Sequence, residues 1–216
     1  MNKIQLPASR DQIVALKVGD LVALTGVMIT ARDAAHKYLI ENYVSGPTPE
    51  AEKPYADKLN RLLDNGVIYH CGPVVNQDAS GKWHVLAAGP TTSFREEPYQ
   101  GPIIEHFNVR AVIGKGGMGA KTQDACQRCG AVYLHAVGGA ASLLATHIVE
   151  VLDVFKQDEF GLPEAFWVIR VKDFPAVVTI DSHGNSLHQD IRDASGDTFE
   201  KLADDIRKRT PDDSDR

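Results

Sequence analysis

The sequence has no apolar run long enough to cross a membrane: its most apolar window, residues 21–30, is about half the length a spanning helix needs. Residues 1–19 mix Lys3, Arg10, Asp11 and Lys17 with short apolar pieces, and no continuous hydrophobic stretch of the signal-peptide kind occurs there. A cytoplasmic chain without membrane contact is the expectation. Basic excess is missing as well. The formal net charge is -6, which removes the broad positive face that nucleic acid or anionic lipid requires, so any anion site must be local. Cysteine is scarce: Cys71, Cys126 and Cys129 make an odd count of 3, which favours reduced thiols over a disulfide framework. The 8 histidines show no H-E-x-x-H or comparable ligand spacing and read as structural. Internal repeats and low-complexity tracts are absent too.

What is present is an alternation of β-rich runs, glycine loops and amphipathic pieces that one α/β domain over 1–216 can accommodate. Residues 20–28 read as a buried strand, followed by a helix whose start is marked by Thr30 three positions before Asp33; Arg32 then falls in the first turn. The segment 43–65 is polar and carries Pro47, Pro49 and Pro54, with a short amphipathic piece around Leu59, Leu62 and Leu63. Runs 67–75 and 82–88, separated by turn-forming residues, suggest a hairpin. Beyond it come a helix through 103–107, a strand at 110–113, a glycine-rich loop at 114–119 and a helix at 122–128. A strand at 131–137 and a small-residue helix at 139–145 complete a parallel βαβα unit. Strands are expected again at 148–155, 165–172 and 176–181. The last part, 194–216, is expected to be a short helix and then a charged tail from Lys208 that frays.

Three loops concentrate polar chemistry. Gly114-Lys115-Gly116-Gly117-Met118-Gly119 satisfies G-x-G-x-x-G between a strand and a helix, as a dinucleotide fingerprint would. That fingerprint also needs an acidic residue about 20 positions on, and none occurs between Asp124 and Glu150, which speaks against a nicotinamide-dependent oxidoreductase. Backbone N–H groups at a helix start, plus the Lys115 ammonium, suit a smaller anion such as a carboxylate; a glycine turn with a solvated lysine is the plain alternative. Arg32 and Arg95 each stand where a strand has just ended, a position that faces ligand crevices in open sheets. Ahead of Arg95, the hydroxyls of Thr91, Thr92 and Ser93 cluster around Pro90, a pattern that simple turn chemistry also explains. The pair Cys126-x-x-Cys129 lies within a helix without a second pair, so packing thiols are expected.

Three strings together, Thr30-Ala31-Arg32-Asp33-Ala34-Ala35-His36, Gly89-Pro90-Thr91-Thr92-Ser93-Phe94-Arg95 and Val112-Ile113-Gly114-Lys115-Gly116, resemble the β subunit, or C-terminal domain, of class I fumarases. The later strings 136–141 and 173–181 are similar to the same family, and the resemblance runs from Gly19 to about His188. It implies a swivelling β/β/α layered domain with a mixed sheet, filling 1–216. It also implies a [4Fe-4S] cluster held by the three cysteines of a separate α subunit, in an α2β2 assembly. The substrate would be a small dicarboxylate, hydrated from fumarate to malate. By the same resemblance Arg32, Arg95 and Lys115 contact substrate and Thr91 serves as the base. Gly116-Gly117-Met118-Gly119 and Gly161-Leu162-Pro163-Glu164 look equally like L(+)-tartrate dehydratase β subunits, so tartrate is the alternative substrate. A non-catalytic anion-binding module is a further alternative. All of these readings require Arg32, Arg95 and Lys115 to converge in space.

Overall fold

The computed structural model describes residues 1–209. Its elements run β1 (Asn2–Gln5), α1 (Arg10–Val14), β2 (Leu21–Thr30), α2 (Asp33–Leu39), α3 (Lys53–Leu63), β3 (Val67–Tyr69), β4 (Val74–Gln77), β5 (Trp83–Ala87), α4 (Glu97–Phe107), β6 (Ala111–Gly114), α5 (Ala120–Cys129), β7 (Val132–His135), α6 (Ala141–Ala145), β8 (Ile148–Phe155), α7 (Gln157–Phe160), β9 (Phe166–Ile180) and α8 (Leu187–Arg209). Strands β1, β2, β3, β6 and β7 are parallel, whereas β9 is antiparallel to its neighbours, so the sheet is mixed. Because β9 pairs with β7 on one side and with β2 on the other, the circuit β2–β3–β6–β7–β9 closes like a small barrel. Strands β1 and β8 flank it.

The short central strands are apolar on both faces because both faces are covered. In β3, Val67 and Tyr69 enter one core while Ile68 enters a second; Ala111, Ile113 and Val112 of β6 divide the same way, as do Val132, Leu134 and Tyr133 of β7. The first core is roofed by α1, α6, β8 and the β4–β5 hairpin, whose Trp83 stands edge-on to the buried Trp167 at 5.1 Å between ring centroids. Helices α2, α3, α4 and α5 cover the second core through Leu39, Leu59, Ile103 and Ala125 among others. The result is a layered β/β/α body.

Several boundaries differ from the sequence expectation. The run 67–75 is divided: β3 joins the main sheet and the hairpin is built from β4 and β5 alone. The two strands expected at 165–172 and 176–181 are one strand, β9, that passes through Asp173 and Pro175. The C-terminal helix begins at Leu187, not after Asp193, with Ser186 Oγ accepting the Gln189 N–H at 3.3 Å. No boundary marks residue 194. From residue 210 onward the charged tail lies outside the described residues. Among the described residues no helix is long and apolar enough to cross a membrane.

Parallel strands β2, β3, β6 and β7 all end at the same side of the sheet, where ligand crevices form in folds of this kind. The loops leaving the first three carry Arg32, His70 to Gly72 and Lys115, and β7 itself ends on His135. The segment 89–95 is stitched between two of those loops by short bridges, Cys71 to Pro90 and Thr92 to Lys115.

Candidate active site

Arg95 and Thr91 are in direct contact. The Arg95 guanidinium donates from Nη2 to Thr91 Oγ1 at 3.0 Å, and its Nε and Nη2 grip the Asp33 carboxylate at 3.1 and 3.0 Å. A cationic donor on the Thr91 oxygen favours negative charge there. Thr91 is fixed by its backbone: its N–H donates to the His70 carbonyl at 2.7 Å and its carbonyl accepts the Lys115 N–H at 3.3 Å. Ser93 N–H returns to the Lys115 carbonyl at 3.0 Å. The loops bearing Thr91, Arg95 and Lys115 are therefore one hydrogen-bonded unit.

Arg32 joins this unit through its neighbour Asp33. It is the residue that caps α2 rather than a member of its first turn, and Thr30 plays no capping part. The cap comes from far along the chain: Glu164 Oε2 accepts the Ala34 N–H at 3.0 Å while Glu164 Oε1 pairs with Arg32 Nη1 at 3.3 Å. The Thr30 hydroxyl instead accepts the Trp167 N–H at 3.1 Å. Arg32 lies against Gly72, where a Cβ would stand 2.7 Å from Arg32 Nη1 and 2.5 Å from the Pro163 carbonyl oxygen. Arg32 Nε is buried with no hydrogen-bond partner among the described residues. The side chain of Lys115 passes Gly138, and its ammonium makes no ion pair or hydrogen bond among the described residues. The loops that carry the three cations are thus neighbours, and two carboxylates, Asp33 and Glu164, pair with the arginines.

One expectation is corrected. The N-terminus of α5, after the glycine loop, does not offer unoccupied N–H groups to an external anion. Glu97 fills it, its Oε2 accepting from the Gly119 N–H at 2.8 Å and the Thr122 hydroxyl at 2.7 Å, and its Oε1 accepting from the Lys121 N–H at 2.9 Å. An internal carboxylate occupies the position a dinucleotide phosphate would need. What the loop contributes is Lys115 itself, followed by Gly116 and Gly117 at φ +78° and +81°, which turn the chain away.

Beneath these loops runs a buried polar string. His36 Nδ1 lies 2.8 Å from the Arg32 carbonyl, and its Nε2 lies 2.9 Å from the Gln100 amide. The same amide atom lies 2.8 Å from His70 Nε2, while His70 Nδ1 lies 2.8 Å from Ser93 Oγ, which also accepts the Tyr133 hydroxyl at 2.9 Å. Burial lowers the pKa of both histidines, His70 the further of the two. Glu96, fully buried and 3.6 Å from His36 Nδ1, is pushed up to about 8 by burial and by the nearby carboxylates of Asp33 and Glu164, against the pull of Arg95. Sequence reasoning passed over Asp33 as a partner, Glu164, Glu96, Glu97 and Gln100. The only available signals were their places inside or beside the family-like strings.

The cysteines do not form a ligand set. Cys71 is buried in the first core and Cys126 in the second, on opposite faces of the sheet, with Cys129 only partly covered. Burial pushes the Cys71 thiol up to about 12 even though Arg32 is nearby, and raises Cys126 and Cys129 as well. Buried thiols of this kind are poor ligands, since metal binding requires the thiolate. Among the described residues no group of three or more His, Cys, Asp or Glu side chains could hold a metal ion. These residues do not fit an iron–sulfur cluster.

The profile of the family described as Fumarase C-terminus matches residues 1–191. A Geobacillus stearothermophilus protein named "Putative fumarate hydratase class I" is 52% identical over 202 residues, covering 93% of this chain and 35% of that protein. This chain therefore spans about a third of that relative's length. L(+)-tartrate dehydratase subunit beta of Escherichia coli strain K12 is 38% identical over 182 residues, covering 84% of this chain and 83% of the other. The chain belongs to the Fumarase C-terminus family, among relatives named as class I fumarate hydratase and as L(+)-tartrate dehydratase β subunit.

Proposed function

We propose that this chain is the substrate-gripping half of a hydro-lyase that interconverts fumarate and malate by reversible addition of water. The observation that carries the reading is the contact between the Arg95 guanidinium and the Thr91 hydroxyl, within a unit that also holds Lys115 and abuts Arg32. A four-carbon dicarboxylate carries two negative charges, and cations from three loops can grip both ends and fix the carbon skeleton. Arg95 Nη1 is uncommitted among the described residues, and exchange of a substrate carboxylate for Asp33 would release the remaining fork. In the dehydration direction Thr91, as the alkoxide that the Arg95 cation stabilises once its hydroxyl proton has passed to solvent, takes the proton from the carbon beside a carboxylate, and in hydration it returns that proton.

None of these residues offers a Lewis acid for the departing hydroxyl. We assign that part to a cysteine-bearing α subunit holding a [4Fe-4S] cluster, in an α2β2 assembly in the cytoplasm. The name of the Escherichia coli relative, a β subunit matched over most of its length, supports a partner and favours a second reading in which L(+)-tartrate loses water to give oxaloacetate.

Anaerobic co-expression with a candidate α subunit, followed by assays of fumarate hydration and tartrate dehydration, tests both. Alanine at Arg32, Arg95 or Lys115 should raise KM about tenfold or more, the loss of one charge-assisted contact. Thr91→Ala should abolish turnover and leave substrate binding. Wild-type kinetics in all four variants would leave a non-catalytic anion-binding module as the better reading.

A further inference from the structure

We propose that Gln100 is the positioning residue of this site: its buried side-chain amide bridges His36 and His70 and so locks the Arg32 loop to the loop carrying Thr91 and Arg95. The inference deepens the hydro-lyase reading and rests on it. Gln100 is fully buried, and both imidazoles approach the same one of its amide atoms, His36 Nε2 at 2.9 Å and His70 Nε2 at 2.8 Å. The other amide atom is buried with no hydrogen-bond partner among the described residues.

The protons can be assigned by elimination. His36 Nδ1 lies 2.8 Å from the Arg32 carbonyl oxygen, which accepts only, so Nδ1 must carry the hydrogen. A neutral imidazole has a single N–H, leaving His36 Nε2 as an acceptor that has to face a donor. Amide oxygen and nitrogen are interchangeable in shape, so the atom between the two rings is the Gln100 nitrogen. Its two hydrogens go one to each Nε2. His70 is thereby fixed as the same tautomer, and its Nδ1–H donates to Ser93 Oγ at 2.8 Å. Burial, which lowers both histidine pKa values, keeps the rings neutral and the pattern intact.

Each end of this bridge holds backbone that carries a site residue. His36 grips the Arg32 carbonyl, the His70 carbonyl accepts the Thr91 N–H at 2.7 Å, and Ser93 donates its N–H to the Lys115 carbonyl at 3.0 Å. Ser93 also explains Gly114: a Cβ there would lie 1.7 Å from Ser93 Oγ. One amide therefore sets the spacing of Arg32, Thr91 and Lys115, and reacting geometry tolerates little error, a displacement of about 1 Å costing roughly a hundredfold in rate.

Two measurements test this. In nitrogen-15 NMR of the full chain, His36 and His70 should both appear as neutral Nδ1–H tautomers from about pH 5 to about pH 8, across the whole range in which an ordinary histidine titrates. An Nε2–H tautomer at either ring, or a His36 imidazolium paired with Glu96, overturns the bridge. In the assembled complex, Gln100→Leu removes the donor, and Gln100→Glu presents acceptors that force hydrogens onto both Nε2 atoms. Read below their melting temperatures, both variants should show a raised KM together with a lowered kcat, with kcat/KM down about tenfold to a hundredfold. A purely structural role would lower only the active fraction and leave KM alone. Folded variants with wild-type kcat and KM overturn the positioning role. A wild-type complex inactive on both substrates removes the reaction and that role together, while the tautomer result still decides whether the bridge exists.

Discussion

Replacing Glu96 by glutamine isolates the cost of burying an acid next to two other carboxylates. In the folded chain the Glu96 carboxyl is pushed up to about 8 from an ordinary 4.5, burial being the largest cause, followed by the Asp33 charge. Between those values the folded chain keeps a proton that the unfolded chain has released. Stability therefore falls as pH rises through this window, by about 1.4 kcal/mol per pH unit, and levels off above it. Over the whole window the loss is on the order of 5 kcal/mol, comparable to the net stability of a small domain. Glu96→Gln keeps the shape and cannot ionise. Urea unfolding of both proteins at a series of pH values should give equal stabilities near pH 4.5 and an advantage to the variant that grows to several kcal/mol near pH 8, then stays constant. A difference that does not change with pH would refute the reasoning. A variant less stable than wild type at neutral pH would mean that Glu96 is ionised and paired with a charged His36.

Other consequences follow from the same contacts. Glu97→Ala leaves the start of α5 without its acceptor and should cost about 1–3 kcal/mol in urea unfolding, with Glu97→Gln recovering part of it. Gly114→Ala forces a methyl group into the place of Ser93 Oγ; the chain should still fold, and the complex should lose about tenfold or more in kcat/KM as the Lys115 and Thr91 loops shift. Replacing Cys71, Cys126 and Cys129 by alanine or serine, singly and together, should leave the iron content of the assembled complex unchanged. Iron lost in proportion to the substitutions would show that this chain supplies ligands after all.

Much of the architecture was legible because apolar runs and glycine loops alternate at short intervals, and the parallel pairing of β6 and β7 follows from that alternation, whereas β3, expected in a hairpin, pairs parallel with β6 instead. Strand β9 was misread as two strands on account of Asp173 and Pro175. On one side Pro175 pairs with Ala23; on the other it falls between the stretch paired with β8 and the stretch paired with β7, so its missing N–H interrupts no second ladder. Strand β1 escaped notice because it buries only Ile4. At the site, Thr91 and Arg95 were singled out within one string, and they do meet, being four positions apart around a turn. Their counter-charges were not. Asp33 reaches Arg95 across 62 positions and Glu164 reaches α2 across 130, distances over which only a fold brings side chains together. Gln100 meets His36 across 64 positions and His70 across 30, and their spacing carries no pattern.

The continuity of β9 has a mechanical consequence. Because one strand closes the barrel against β2 along most of its length and carries β8 and then β7 in succession on its other edge, the flank cannot peel away without straining the ring. Hydrogen exchange should accordingly find the amides of β2, β7 and β9 opening together, as one unit with no weak seam along which a partner could split the molecule.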